Sequence, residues 1–373
     1  MRIELPDDRV RLDGAAAVET APGRVAPHRI ALEYAHELPV EAAFVEGMPS
    51  GVRLVVDTDA TSIGIECTPM RLTIGGKVRP STFELVVDGA VIDSAEAEFG
   101  NMVSVELDES PPEFTAGEPG QVVLVRPANL GSTVEIWLPQ SAGVALHALV
   151  IPDGATISAA PSDDRPRWIH HGSSISHCME ASGPTSTWPA VAAAATGYHV
   201  TNLGIAGQCH VDQFAARTIR DLPADRISLK FGINVVNGDT MRVRTFTSAV
   251  HGFLDTVREG HPDTPILLIS PIICPAVETV PGPTLPGDDG RFFSPSTDDD
   301  LALGRLSLQR IRQILEGIVE KRRLVGDANL TYLDGRELFG DDDVEDLEDG
   351  LHPNAAGYLR IGQRFADGDF LTV

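Results

Sequence analysis

The chain has 373 residues, of which 42% are apolar and 22% are charged, a composition typical of a globular protein and far from that of a disordered chain. Its 54 acidic residues against 29 lysines and arginines give a formal charge of -25, which excludes nucleic acids and anionic membrane surfaces as expected partners. The length predicts about two domains.

Targeting and redox signals are weak. The first eight residues lack the charged and apolar regions of a signal peptide, and no stretch is long enough to span a bilayer. The four cysteines, at positions 67, 178, 209 and 274, are scattered without a CxxC pair, a pattern typical of a reduced protein. We therefore expect a cytoplasmic protein.

Short β-favouring runs, separated by Gly, Pro, Asp and Asn turns, fill the chain up to about residue 153. Residues 51–57, 82–89 and 134–139 are examples. Strands at this spacing, with almost no helical periodicity between them, predict a β-sandwich-like domain over residues 1–153. The Gly, Ala, Pro, Ser and Asp content of residues 154–167 then predicts a linker.

From residue 168 onward, apolar runs typical of strands alternate with helical patterns. The predicted strands are residues 168–171, 200–203, 227–231, 266–270 and 330–333, and the predicted helices are residues 188–195, 211–220, 246–258 and about 298–323. This alternation predicts an α/β domain over residues 168–373, built on a parallel sheet that is covered on both faces. Ligands bind such sheets beyond the carboxyl ends of the strands.

One connection, residues 278–296, is rich in proline and glycine and has no regular period. Connections of this length are either functional lids or mobile surface insertions, and the sequence does not choose between the two.

A serine-rich turn follows the first strand of the α/β domain, with the sequence Gly172-Ser173-Ser174-Ile175-Ser176. A serine at the carboxyl end of a strand and the start of a helix faces the ligand crevice, beside backbone N–H groups that can support negative charge. This is the placement of a nucleophile, although the pentapeptide alone is more typical of a serine-rich turn with a plain helix cap.

A second group of polar residues lies near the C-terminus, in the sequence Asp349-Gly350-Leu351-His352-Pro353. A serine hydroxyl becomes nucleophilic when an imidazole removes its proton, and the imidazole needs a carboxylate to fix its tautomer. The spacing lets Asp349 and His352 converge, and Pro353 fits the first position of a helix over residues 354–365. Alone, this segment fits a surface turn.

Two further turns end predicted strands: Gly204-Ile205-Ala206-Gly207-Gln208 and Gly232-Ile233-Asn234. A glycine lets its backbone N–H approach an oxyanion closely, and an asparagine amide can also donate there. Neither turn means much alone. Four such signals at the ends of separate strands, in the order Ser, Gly, Asn and Asp-x-x-His, together indicate a serine hydrolase.

These four segments resemble the conserved blocks of the SGNH branch of the GDSL esterase/lipase superfamily. The first block, Gly172-Ser173-Ser174-Ile175, has Ser173 where the family usually carries Asp, and its nucleophile falls on Ser174. The wider stretch from the first block to Asn234 is similar to a bacterial GDSL-like acylhydrolase subgroup with an N-terminal β-domain. The resemblance implies a flavodoxin-like three-layer fold and acyl hydrolysis without metal or cofactor.

The remaining blocks of the family assign the other site residues. They imply a triad completed by Asp349 and His352, and an oxyanion hole made by the backbone N–H groups of Ser174 and Gly207 with the amide of Asn234. Gly204 is the alternative to Gly207.

Other polar residues near these blocks are candidates for substrate contacts: His171, His177, Gln208, His210 and Trp188. Plain packing is the alternative for them. We expect no metal site, because the adjacent His170 and His171 point to opposite faces of a strand and the histidine spacing matches no zinc signature. The acidic run of residues 341–349 predicts a solvated loop. Within it, Asp346 is the alternative to Asp349 as the carboxylate that orients His352.

The sequence thus predicts a serine acylhydrolase acting on a small soluble ester or an acylated carbohydrate. The alternative is a carbohydrate-binding protein whose β-sandwich recognises the sugar and whose hydrolase-like domain is catalytically silent. The sequence does not determine the oligomeric state, nor does it choose among esterase, deacetylase, thioesterase and acyltransferase activity.

Overall fold

A computed structural model describes residues 1–106 and 110–371. The chain separates into two compact units. The first comprises Met1–Arg165 with Ser182–Ala190, and the second comprises Pro166–Ala181 with the described residues from Val191 onward.

The first unit consists of two sheets. Its strands are β1 (Arg2–Glu4), β2 (Arg11–Asp13), β3 (Ala17–Ala21), β4 (Arg24–His28), β5 (Arg53–Thr58), β6 (Ser62–Ile74), β7 (Lys77–Val78), β8 (Thr82–Val87), β9 (Ala90–Glu96), β10 (Asn101–Val105), β11 (Glu113–Thr115), β12 (Gly120–Val125), β13 (Thr133–Trp137), β14 (Gly143–Val150) and β15 (Ile157–Ser158). One sheet has the order β11-β10-β6-β14-β4-β3, with β1 on β14 and both β7 and β12 on β6. The other has the order β15-β5-β13-β8-β9, with β2 on β5. Apolar side chains from both sheets form one core, as alternating strands require.

The first unit also contains helical turns that the sequence did not predict. A 3-10 helix, Leu32–Glu37, precedes the helix α1 (Val40–Glu46). Helix α1 begins directly after Pro39, whose fixed φ suits the entrance to a helix, and its alanines and glutamates are good helix formers.

The second unit is built on a five-stranded sheet. Its strands are β16 (Arg167–His171), β17 (His199–Asn202), β18 (Arg226–Lys230), β19 (Ile266–Ile269) and β22 (Leu330–Leu333), and a separate hairpin consists of β20 (Leu285–Pro286) and β21 (Phe292–Phe293). The sheet has the order β17-β16-β18-β19-β22 with every neighbouring pair parallel. This is the 2-1-3-4-5 order of the flavodoxin-like fold.

Helices connect these strands. They are α2 (Ser174–His177), α3 (Trp188–Thr196), α4 (Gln213–Asp221), α5 (Ile233–Asn237), α6 (Val243–Gly260), α7 (Leu308–Leu324) and α8 (Ala355–Asp367). All four residues of β19 and the last four of β18 are buried, and successive side chains point to opposite faces of a strand. Both faces of the sheet are therefore covered, as predicted.

Two predicted helix boundaries were wrong. The helix predicted over residues 298–323 is divided into a 3-10 helix, Asp298–Leu303, and α7, because Gly304 adopts a left-handed φ of 80° that ends a helix. Pro353 does not begin α8. The side chain of Asn354 accepts a hydrogen bond from the Gly357 N–H and caps that helix instead.

The predicted fold class is confirmed, with a β-sheet-rich region followed by an α/β domain on a parallel sheet. Within the described residues, no helix combines the length and apolar character needed to cross a membrane.

Candidate active site

Ser174 begins α2 at the carboxyl end of β16, where the sequence predicted a nucleophile. The helix is a single turn, held by neighbouring side chains. Ser173 caps its N-terminus and accepts from the Ile175 N–H at 3.4 Å, while the Asn202 amide at the end of β17 donates to the Ser176 carbonyl at 2.8 Å. The loop that carries Ser174 is therefore fixed from two strands.

Gly204 allows this loop to pack closely. A β-carbon at position 204 would lie 2.7 Å from the backbone of Ser176 and His177, well inside van der Waals contact. The Gly204 N–H donates to the side-chain oxygen of Asn202 at 2.9 Å. Gly204 thus has a packing role, and its N–H is already engaged.

His352 lies between Ser174 and Asp349. Its Nε2 is 2.9 Å from the Ser174 Oγ, and its Nδ1 is 2.7 Å from Oδ2 of Asp349. An ionised carboxylate only accepts hydrogen bonds, so in the neutral imidazole Nδ1 carries the proton and Nε2 accepts from the Ser174 hydroxyl. This tautomer is the one in which an imidazole can take a proton from serine.

Asp349 is held in its orientation by the backbone of its own turn. Its Oδ1 accepts from the N–H groups of Leu351 and His352 at 2.9 and 2.7 Å. Partial burial alone would raise the pKa of Asp349, but its hydrogen bond to His352, the charge of that imidazole and the two backbone bonds lower it to about 2. The carboxylate therefore stays ionised at neutral pH.

The fallback carboxylate, Asp346, is engaged elsewhere. Its Oδ1 accepts from the Asn354 amide at 3.0 Å, and its Oδ2 pairs with Arg360 at 2.7 Å. Asp349 is thus the carboxylate that contacts His352.

Three donors at the strand ends have no hydrogen-bond partner among the residues that the structure describes: the backbone N–H groups of Ser174 and Gly207, and the Nδ2 of Asn234. Gly207 is exposed with a left-handed φ of 72°. The Oδ1 of Asn234 accepts from the Cys209 N–H at 3.1 Å, which orients the amide and leaves its NH₂ group available. These are the donors that an oxyanion requires.

The other predicted contacts divide into two sets. His171, His177 and Trp188 are each at most 1% exposed. His171 donates from Nδ1 to the Leu203 carbonyl at 2.8 Å and stacks on Phe253, and His177 accepts from the Ala206 N–H at 3.4 Å. These three side chains pack inside the protein, and burial leaves them no surface for a substrate. Gln208 and His210 are partly exposed.

The sequence did not identify Phe292. Its ring lies against His352 in an edge-to-face arrangement, with centroids 6.4 Å apart and an interplanar angle of 73°. Phe292 lies in the connection of residues 278–296, where no motif marks it.

A cavity elsewhere in the second unit does not include this site. A cavity of about 830 Å³ in the second unit is lined by residues of β22, α8 and the segment after it, such as Leu333, Phe365 and Phe370, and by none of the polar groups just described. The chain of hydrogen bonds from Ser174 to Asp349 is the more specific indication of chemistry.

Comparison with known proteins gives related structures over almost the whole chain. A salicylyl-acyltransferase from a tetracycline biosynthetic pathway is 29% identical, with a TM-score of 0.75 over 98% of this chain and 95% of its own. A protein described as a GDSL-like lipase from Bacteroides ovatus is 21% identical, with a TM-score of 0.68 over 98% and 96%. A family two carbohydrate esterase from Cellvibrio japonicus is 12% identical, with a TM-score of 0.59 over 98% and 96%. The last two likenesses concern the fold alone.

No curated protein matches the chain. The model of the GDSL-like lipase/acylhydrolase family matches residues 171–360, a range that contains Ser174, Gly207, Asn234, Asp349 and His352. The chain therefore belongs to the GDSL-like lipase/acylhydrolase family.

Proposed function

We propose that the protein is a serine acylhydrolase in which Ser174 is the nucleophile, His352 the general base and Asp349 the carboxylate that orients it. One observation carries this proposal, the unbroken contact from the Ser174 hydroxyl through both nitrogens of His352 to Asp349, at 2.9 and 2.7 Å. The unpaired donors of Ser174, Gly207 and Asn234, which follow neighbouring strands of the sheet, also support it.

The proposed reaction has two acyl-transfer steps. His352 takes the Ser174 proton as Oγ attacks the ester carbonyl, and then donates it to the leaving alcohol. Water, activated by the same imidazole, next releases the acid from the acyl-enzyme. In both steps the backbone N–H groups of Ser174 and Gly207 and the amide of Asn234 would stabilise the negative oxygen, each donor contributing about 2.7 to 4 kcal/mol.

Adjacent serines provide a matched test of the nucleophile. We expect Ser174→Ala to abolish turnover of short-chain p-nitrophenyl esters, and Ser173→Ala, which removes only a helix cap worth about 1 kcal/mol, to retain most of it. A fluorophosphonate should label Ser174 and no other residue in peptide mapping. Substantial turnover by folded Ser174→Ala, or labelling of Ser173, would contradict the proposal.

The proposed substrate is a small soluble ester or an acylated carbohydrate. Structures similar in fold include carbohydrate esterases and an acetyl xylan esterase, which supports this class at the level of the fold. Incubation of the protein with acetylated xylo-oligosaccharides, with the released acetate measured, tests this substrate class. The alternative is a carbohydrate-binding protein with a silent hydrolase domain, and it predicts sugar binding without acetate release or fluorophosphonate labelling.

Acyl transfer to an alcohol is a second candidate, favoured by the 29% identity to a salicylyl-acyltransferase across 98% of the chain. Both reactions share the acyl-enzyme and differ in whether water or an alcohol attacks it. Adding primary alcohols to an ester assay and measuring the new ester by mass spectrometry separates them. A transferase forms the new ester in preference to the free acid.

We further propose the predicted two-domain organisation, with a β-sandwich over residues 1–153, a linker over 154–167 and the hydrolase domain over 168–373. Its bounds differ from the two compact units, because β15 in the predicted linker pairs with β5 and Ser182–Ala190 belong to the first unit. We also propose that the protein is cytoplasmic. None of the four cysteines forms a disulfide, which supports a reducing compartment.

A further inference from the structure

The proline- and glycine-rich connection is an ordered part of the second unit. Residues 281–296, here called the strap, contain the hairpin of β20 and β21. Two serine hydroxyls near one end of the strap bond to its other end: Ser294 donates to the Pro281 carbonyl at 2.6 Å and Ser296 to the Gly282 carbonyl at 2.8 Å. The strap is therefore a closed loop with fixed ends.

One part of the strap is anchored to α5, the helix that carries Asn234. The Thr284 N–H donates to the Asn237 carbonyl at 3.0 Å. Gly282 lies so close to the Val236 carbonyl that a β-carbon at position 282 would overlap it. These two contacts hold the base of the strap against α5.

Another part is anchored to the turn that carries Asp349 and His352. The Phe292 N–H donates to the Asp349 backbone carbonyl at 2.8 Å, and the Phe292 ring lies edge-to-face against the imidazole of His352. The strap thus connects the helix of the proposed oxyanion donor to the turn of the proposed base.

The two faces of the hairpin differ. Leu285 pairs with Phe293 and Pro286 with Phe292, and successive residues of a strand point to opposite faces. Phe292 is partly buried against His352, whereas Leu285 and Phe293 are 44% and 46% exposed. Two adjacent phenylalanines therefore have opposite environments.

Packing of the Phe292 ring restrains the orientation of the His352 imidazole in a way that its hydrogen bonds alone do not. The bond from Nε2 to the Ser174 hydroxyl is lost when Oγ forms the acyl-enzyme, and the imidazole can then turn about its side-chain torsions with only the bond to Asp349 to hold it. Edge-to-face packing restrains it, because aromatic pairs have a preferred geometry.

We infer that Phe292 is a positioning residue, which the strap holds against His352 so that the imidazole stays aligned with both Ser174 and Asp349. This inference rests on the proposed function of those three residues. Phe292 acts through His352 and has no chemical role of its own.

The test compares Phe292→Ala with Phe293→Ala, which removes an identical side chain from the neighbouring residue. We expect Phe292→Ala to lower kcat for p-nitrophenyl acetate about tenfold, the scale of one aromatic contact, with KM changed less than about twofold. Phe293→Ala should change neither. The rate of fluorophosphonate labelling of Ser174, which needs the same alignment without ester binding, should fall by the same factor. Phe292→Tyr should restore both rates.

Several results would overturn the inference. Equal losses in the two alanine variants, a change in KM alone, or an unchanged labelling rate would each show that Phe292 does not position His352. If Phe292→Ala does not fold, Phe292→Leu keeps most of the apolar volume without a ring, and full activity in that variant would also refute it. Activity of Ser174→Ala would instead refute the proposed function, so the two failures are distinguishable.

Discussion

Helix α2 carries two serines, and each contacts a different histidine. Ser174 lies 2.9 Å from Nε2 of His352, and Ser176 lies 2.7 Å from Nε2 of His170. By distance alone the second pair is the better base–nucleophile pair, yet we assign the chemistry to the first.

The difference lies in what surrounds each imidazole. The far nitrogen of His352 faces the Asp349 carboxylate, whereas that of His170 faces the Ser228 hydroxyl at 2.7 Å, which also accepts from the Trp168 indole. His170 is fully buried, and burial holds its pKa well below its ordinary value. A lowered pKa makes an imidazole a weaker base. A carboxylate and access to substrate therefore distinguish the two pairs.

Replacement of each histidine in turn tests the two roles most directly. We expect His352→Ala to lower kcat for p-nitrophenyl esters on the order of 10⁶-fold, the scale of removing a triad histidine, with little change in the free energy of unfolding. His170→Ala leaves a cavity and the hydroxyls of Ser176 and Ser228 without their partner, so it should cost about 2 to 4 kcal/mol of stability.

Urea unfolding and ester turnover, measured on both variants, check this pair. Folded His170→Ala should keep kcat within about a hundredfold of the parent, since misplacement near a site can cost that much. A larger loss of activity in His170→Ala than in His352→Ala would reverse our assignment of the two roles.

The carboxylate beside His352 is the second difference between the two serine–histidine pairs. Asp349→Asn should lower kcat about 10⁴-fold, because an amide in that place favours the wrong tautomer of His352. Asp346→Asn serves as the control: it weakens the ion pair with Arg360 and should leave kcat within about threefold, since partly exposed ion pairs contribute little. A greater loss in Asp346→Asn would make Asp346 the functional carboxylate.

The two serines also differ in their backbone N–H groups. The Ser176 N–H is bonded to the Ser173 carbonyl, whereas the Ser174 N–H has no partner among the described residues. Asn234→Ala should lower kcat about 10²- to 10³-fold with little change in KM, because the amide acts mainly on the charged intermediate. Asn237→Ala, on the same helix, is the matched control and should be nearly neutral. Similar kcat values for the two variants would remove Asn234 from the oxyanion hole.

Lys230 contrasts with the hydrogen-bonded interior around His170. Its side chain is 2% exposed, and its Nζ has no hydrogen-bond partner in the part of the chain that the structure describes. Burial lowers the pKa of Lys230 from 10.5 to about 8. The fold thus favours the neutral amine, so the penalty for charging it is absent above pH 10.5, grows as the pH falls and is complete below pH 8.

Lys230→Met should therefore raise the free energy of unfolding at pH 7 by about 1 to 3 kcal/mol, and the gain should vanish near pH 10.5. Urea unfolding at pH 7 and at pH 10.5 measures both. Lys321→Met, at an exposed position of α7, should have no such effect. A destabilised Lys230→Met would indicate that the buried amine is satisfied.

The sequence could predict residues that follow strands, because the carboxyl ends of parallel strands meet at one edge of a sheet. Ser174, Gly207 and Asn234 follow β16, β17 and β18, which are neighbours in the sheet. The sequence could not choose between Gly204 and Gly207 as the oxyanion donor. The choice depends on one contact, the bond from the Gly204 N–H to the Asn202 side chain, and residue spacing does not predict that contact.

Other features depend on contacts that sequence patterns do not carry. His171 belongs to a strand buried on both faces, so proximity to Ser174 along the chain did not bring its ring to the surface. Phe292 reaches His352 through a connection without periodicity. The helix predicted over residues 298–323 failed at a single glycine, because apolar periodicity continues across a break in the backbone.

The order of elements along the chain also has a consequence for biosynthesis. The proposed nucleophile and oxyanion donors all lie within residues 174–234, whereas Asp349 and His352 come after the last strand of the sheet. A ribosome therefore completes the segment with the proposed nucleophile and oxyanion donors before it delivers the proposed base. Until that final turn emerges and docks, the proposed nucleophile has no base beside it, and we expect the nascent chain to have no hydrolase activity.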